Sequence, residues 1–437
     1  MITVVKDNTY GYSTLFNTKT GSYLRGFDVD FEPFMAEFPH LIDVGVMGHC
    51  EHGRSGLCMK AGVRCYQDGL HVNKPNMFLE DYKRIVDECK GKLFQVALGG
   101  AGDPDMHENF EEILKYSVEN NIVPNFTTSG LGMTVEKAKL CKKYCGAVAV
   151  SQYSRLDMEH PTLVCRVTPK DETYVYRTIK DISVRYTFGG FNPHCLANGY
   201  EYLIDDKVYY VDSLDSVKYG EEVNCEYILV YHEKQSPNYT MTAIRMLQNA
   251  GVKVNIHYVL SNGTIDEALF RLKNHGFPFG INAVIFLLHK PVGLGQMNDV
   301  LDVKDPKVKG FFELVDKGSF GFKVGFDSCS IPGILRFSKN IDMNSLDTCE
   351  GGRYSMYITS DMIALPCSFD NQKLKYGFDL RNGTIKDAWD SAVFDSFRSS
   401  LRNSCPSCSN RENCMGGCPL ERDIVLCDRK EKDLYEV

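Results

Sequence analysis

The chain has 437 residues, with 49 Lys and Arg against 57 Asp and Glu and a net charge of -8. Hydrophobic residues at 43% and charged residues at 24% are ordinary globular values, so a disordered chain, a fibre and a collagen are excluded. The acidic balance speaks against nucleic acid as a partner, and no run of about 18 uncharged apolar residues exists to cross a membrane. The opening residues lack the basic and apolar regions of a secretion signal, so a cytoplasmic location is expected.

Residues 1–40 are read as an N-terminal extension. Short apolar runs then alternate with amphipathic helices from about residue 41 to 300, the order of parallel β/α units. Strands are expected at 41–47, 93–98, 123–127, 146–151, 226–231, 252–260 and 281–288, with helices at 79–90, 108–120, 134–144, 239–250 and 264–275. Within 239–250, Ile244, Leu247 and Ala250 share a face and Gly251 suits a C-cap. This pattern fits a full or partial β/α barrel, whose chemistry sits at the C-terminal strand ends. Residues 156–220 break the alternation, holding eight of the 24 tyrosines without a helical period, and are expected to form a β-rich insertion. Beyond about 320 the chain turns rich in Cys, Gly and Asn, as in a small domain held by metal rather than by a core.

Seventeen cysteines in a reducing compartment are read as metal or redox ligands rather than disulfides. Cys50, Cys58 and Cys65 follow the first barrel strand. Cys405, Cys408, Cys414 and Cys418 are spaced C-x2-C-x5-C-x3-C, with Cys427 after them and Cys349 and Cys367 upstream. Thiolates so close in sequence reach one centre at little loop-closure cost. A zinc site would account for the first C-x2-C pair alone. These seven cysteines, however, approach the eight that two four-thiolate clusters require, and Cys329 can supply the eighth.

The tail resembles the SPASM domain of radical S-adenosylmethionine (SAM) enzymes. Its segment CEGGRYSMYITSDMIALPC is similar to the first two cysteines of that family's pattern, with Met362 where Gly is common. The resemblance implies a first auxiliary [4Fe-4S] cluster on Cys329, Cys349, Cys367 and Cys418, and a second on Cys405, Cys408, Cys414 and Cys427. It also implies an α/β fold in which a radical SAM partial (β/α)6-type TIM barrel at 41–320 carries the 156–220 insertion and precedes a SPASM domain at 321–437. In the family, three cysteines after the first strand hold the [4Fe-4S] cluster whose open iron chelates SAM. Cys50, Cys58 and Cys65 have that position, although C-x7-C-x6-C departs from the common C-x3-C-x2-C spacing. A zinc knuckle, with His49 and His52 as further ligands, or a loop of free thiols is the alternative.

The second strand ends in Gly99, Gly100, Gly102 and Asp103, similar to the family's G-G-E-P element that receives the SAM amino group, with Asp103 in place of Glu. Ser129, Ser151 and Gln152 stand where the family contacts the SAM ribose and carboxylate, and Leu288 and Gly293 where it lies beside the adenine. No catalytic acid or base is singled out, because in this family a 5'-deoxyadenosyl radical abstracts hydrogen. The implied enzyme is an oxidoreductase that cleaves SAM reductively and oxidatively modifies a peptide or protein side chain, by crosslinking or related maturation. Its expected cofactors are SAM and three [4Fe-4S] clusters. Its expected partners are a peptide or protein, bound in part by the insertion, and a one-electron donor such as a flavodoxin or ferredoxin. A radical SAM enzyme acting on a small molecule or RNA, and a non-catalytic iron-sulfur carrier or zinc module, are the competing readings.

Overall fold

The computed structural model describes residues 2–18, 21–27, 34–55, 64–151, 161–167, 175–179, 201–204, 207–211, 225–231, 239–273, 276–342, 345–405 and 407–427. An antiparallel sheet of β1 (Ile2–Asp7), β2 (Tyr12–Asn17) and β3 (Tyr23–Phe27) opens the chain. The barrel begins with β4 (Leu41–Met47), β5 (Gln95–Gly100), β6 (Val123–Thr128) and β7 (Val148–Ser151), which pair in parallel and in chain order. The chain then leaves for a separate sheet of β8 (Pro161–Val167), β9 (Val175–Ile179), β10 (Glu201–Ile204), β11 (Lys207–Val211) and β12 (Cys225–Tyr231). It returns through β13 (Val254–Leu260), parallel to β7, and continues with β14 (Ala283–Leu288) and β15 (Lys323–Phe326).

Two expectations need correction. The strand expected in the barrel at 226–231 is β12, which pairs antiparallel with β8 over seven residues in the second sheet. A short apolar run reads alike in either sheet, and only the partner strand decides. Just past 320, where periodicity was expected to end, β15 adds a further parallel strand beside β14. On the other edge, β16 (Ser355–Ile358) pairs in parallel with β4, and β17 (Ile363–Leu365) and β18 (Phe378–Asp379) follow it, so the cysteine-rich segment continues the barrel's own sheet.

The helices cover the outer face of the barrel. Helix Leu79–Cys89 turns Tyr82, Ile85, Val86 and Cys89 inward, one stripe at helical spacing, and Ile42, Val44 and Val96 are fully buried in the same core. Tyr82 Oη and Ser117 Oγ share a 2.6 Å hydrogen bond that ties this helix to Phe110–Glu119. In helix Tyr239–Asn249, Ile244 and Leu247 are buried as expected, and Gly251 follows with a left-handed φ of 77°. The cysteine-rich part is clasped to the N-terminal segment through Trp389, fully buried, whose Nε1 donates to Ala36 O at 2.9 Å.

His40 is packed among the rings of Tyr12, Tyr23, Phe94 and Tyr354, and it shares a 2.6 Å hydrogen bond with Tyr23 Oη. Burial, reinforced by the Arg25 charge, lowers it from 6.5 to about 4. A histidine whose folded pKa lies below its unfolded one takes up its proton more readily when unfolded, so stability falls as pH drops through 6.5 towards 4. The expected contribution across that window is about 3 kcal/mol. Urea unfolding of the chain and a His40→Phe variant at several pH values checks it, and equal pH slopes for the two would refute it.

Candidate functional site

Cys50 immediately precedes a one-turn helix, Glu51–Ser55, and Gly53 N donates to Cys50 Sγ at 3.3 Å. The segment from 64 to 77 runs back alongside, with Lys74 N donating to Gly48 O and Met77 N to Val46 O, both at 2.9 Å. That return brings Cys65 close enough to Cys50 for their charges to interact. Burial raises both thiols, while backbone N–H groups of Gly53 at Cys50 and of Gly69 and Gln67 at Cys65 favour the thiolates. Cys58 lies outside the described residues, as does Gln152.

Two glycines let other strand ends reach this pair. A Cβ on Gly102 would stand 2.2 Å from His49 O and 3.2 Å from Cys50 Cα, so the loop after β5 can lie on the Cys50 backbone only without a side chain there. A Cβ on Gly293, whose φ is 60°, would stand 2.4 Å from Tyr66 O and 2.7 Å from Cys65 O. Leu294 N completes that contact by donating to Cys65 O at 2.9 Å. Gly99 meets open space, and Gly100 turns the strand end at a φ of 116°. Residues assigned to SAM at the ends of β5 and β14 therefore do meet Cys50 and Cys65.

Other assigned residues point differently. Asp103 Oδ1 accepts from Ser129 N at 2.9 Å and Oδ2 from the Ser129 hydroxyl, so these two side chains lock β5 to β6. Burial raises the Asp103 carboxyl against those bonds. Ser129 is buried, and Leu288 packs its side chain in the core while its N–H donates to Asp327 Oδ2 at 3.1 Å. Ser151, half-buried, pairs in register with His257 of β13.

Sequence reading named His52 only as a candidate zinc-knuckle ligand and missed its buried neighbour Asp105. Asp105 is wholly buried with only the Thr128 hydroxyl and its own backbone N–H beside its carboxylate, and His52 is 5% exposed with neither ring nitrogen bonded. Burial, and then the Asp103 charge, raise Asp105 to about 6, while burial lowers His52 against the pull of Asp105. Orphaned polar atoms at this depth mark a place for a polar ligand or water. The only signal was an acidic residue after a Gly-rich turn, which is common on surfaces.

Farther along, eight thiols gather in two groups. The Cys329 and Cys418 thiols hydrogen-bond each other; Cys349 interacts with Cys329, and Cys367 with both Cys349 and Cys329. Burial pushes Cys349 up to about 12. In the second group burial raises Cys414 to about 11, with Cys405, Cys427 and Cys408 adding to the rise. Thiolates that repel one another in a buried place become stable together only when a cationic centre binds them. The groups are gathered but not closed on one point: among the described residues no three His, Cys, Asp or Glu side chains could hold a metal ion. A tetrahedral zinc would draw its sulfurs to about 2.3 Å from one centre.

Residues 349–415 match the family model of the SPASM iron-sulfur cluster-binding domain. This segment is a SPASM domain. It spans Cys349, Cys367, Cys405, Cys408 and Cys414, while Cys329, Cys418 and Cys427 flank it. The fold is shared with solved structures over nearly all of the chain. Streptococcus suis SuiB bound to S-adenosylmethionine is 13% identical, with a TM-score of 0.57 over 95% of this chain and 94% of that one. SuiB bound to its precursor peptide SuiA is 12% identical, with a TM-score of 0.58 over 98% and 100%. Native anSMEcpe with bound AdoMet is 17% identical, with a TM-score of 0.51 over 90% and 92%. No curated protein sequence matches. The α/β partial barrel expected ahead of the SPASM domain is thus present.

Two cavities are present among the described residues. One of about 350 Å³ lies at the N-terminal strand ends of the barrel, away from the cysteine pair, where Gln95, Asn125, Asn255, Asn282 and His257 make it polar. Another of about 810 Å³ runs along β15 between Phe326, Asp327, Leu346 and Glu350, beside two of the SPASM-side cysteines. Burial, with the Asp347 charge, raises Glu350 to about 7.

Proposed function

We propose that the chain is a radical SAM enzyme that modifies a peptide. The observation that carries this reading is the convergence of the Gly102 and Gly293 loops on Cys50 and Cys65 at one end of a parallel barrel whose sheet continues into a SPASM domain. A [4Fe-4S] cluster on Cys50, Cys58 and Cys65 would supply the low-potential electron that breaks the carbon-sulfur bond of SAM. The protein's share is to hold the sulfonium and the substrate C–H in line and keep water out. Gly99 and Gly100 offer backbone groups to the SAM amino group, and the Asp103–Ser129 lock fixes the strand ends that carry them. The same fold in SuiB with its precursor peptide and in anSMEcpe with the Cp18Cys peptide supports a peptide substrate, and the cavity of about 810 Å³ beside the SPASM cysteines offers room for its extended backbone.

The reading includes three [4Fe-4S] clusters, two of them fully ligated by the eight distal thiolates, and an external one-electron donor of the flavodoxin or ferredoxin kind. Anaerobic reconstitution tests it: about twelve irons per chain and dithionite-dependent release of 5'-deoxyadenosine from SAM are expected. A zinc-binding chain with no SAM cleavage would refute it. Cys329→Ala should alter one auxiliary cluster's EPR signal and leave SAM cleavage in place. An unchanged spectrum would show that the first auxiliary site holds only three cysteines.

A further inference from the structure

Lys290 lies in the loop after β14, three residues before Gly293, and takes no part in the contacts with Cys65. Its side chain is 2% exposed, and Nζ donates to Leu288 O at 2.9 Å and to Asp327 Oδ2 at 2.5 Å. Nζ also lies 4.3 Å from the centre of the Phe369 ring. Both partners adjoin thiols of one group: Asp327 precedes Cys329 by two residues, and Phe369 follows Cys367 by two. Phe369 in turn contacts the Tyr66 ring at 4.8 Å, next to Cys65. The lysine therefore stands where the barrel mouth meets the first distal thiol group.

A buried ammonium is costly unless it answers a charge. Asp327 does not need it as a donor, since its carboxylate already accepts from Leu288 N and the Ser330 hydroxyl. The Lys290 charge reaches Cys329 and Cys367, and Cys418 acts on Lys290 in return. Burial disfavours the ammonium, yet Asp327 and these thiols hold it charged, above the ordinary lysine range.

We propose that Lys290 raises the reduction potential of the cluster held by Cys329, Cys349, Cys367 and Cys418. Reduction adds one electron to the cluster without making or breaking a bond, and the added negative charge is what a nearby buried cation stabilises. Asp327 opposes the effect, but at Cys329 the Lys290 charge outweighs it.

The inference rests on the cluster assignment proposed above. Its test is an EPR-monitored redox titration of the reconstituted chain with dithionite, following the signal that Cys329→Ala alters. Lys290→Gln should lower the reduced-to-oxidised ratio at the wild-type midpoint about tenfold, a 59 mV drop for a one-electron couple. Lys290→Arg should hold the wild-type midpoint, and Asp327→Asn should raise it. An unchanged midpoint in Lys290→Gln at full iron content overturns this inference alone. If that variant does not fold, Asp327→Asn decides, and no rise there overturns it. A wild-type chain that assembles no cluster on the four cysteines overturns the assignment as well.

Discussion

Replacing Cys50, Cys58 and Cys65 together by Ala is expected to remove about four irons and abolish 5'-deoxyadenosine formation. Cys50 and Cys65 face each other at the barrel mouth, and the thiols with which the distal cysteines interact belong to their own two groups. The triple variant should therefore keep about eight irons and the EPR signals of the auxiliary clusters. Iron analysis with a SAM-cleavage assay checks both halves at once. Retained cleavage would place the radical-generating cluster elsewhere.

Gly102→Val should cost at least about 100-fold in the rate of SAM cleavage, because a shift near 1 Å in a reacting group has that effect. The new Cβ would meet His49 O at 2.2 Å, a backbone atom that cannot swing aside, so Cys50 must move with its loop. Gly310, in helix Pro306–Lys317 with nothing within 4 Å of a Cβ, is the control. Gly310→Ala should leave cleavage unchanged and add up to about 1 kcal/mol of stability. Full activity in Gly102→Val would mean that the loop after β5 does not support the cysteine pair.

Much of this was legible in the sequence because it rests on local periodicity. The helices at 79–90 and 239–250 declared themselves by apolar stripes, and the glycines after β5 by their place at a strand end. Partnership across the chain was not legible. Nothing in EYILVY tells that β12 will join β8 rather than β13, and Lys290 and Asp327 are 37 residues apart. Met362 is an intermediate case. Its departure from the family's glycine was visible, and the structure supplies the reason glycine is favoured: the β16–β17 turn places this residue at a φ of 64°. Its side chain, 3% exposed, offsets that backbone cost by burial.

The two distal thiol groups interleave along the chain. Cys414 sits with Cys405, Cys408 and Cys427, whereas Cys418 sits with Cys329, Cys349 and Cys367. Between them Met415, Gly416 and Gly417 all take left-handed φ values of 50°, 75° and 78°, a tight reversal that carries the chain from one group to the other. The backbone thus threads from the first group into the second, back to the first and again to the second, like a single lace through two eyelets. Neither eyelet can be undone without slackening the other. Maturation of this region should accordingly be coupled, with the loading of one group ordering the 415–417 reversal and so speeding the uptake of iron by the other.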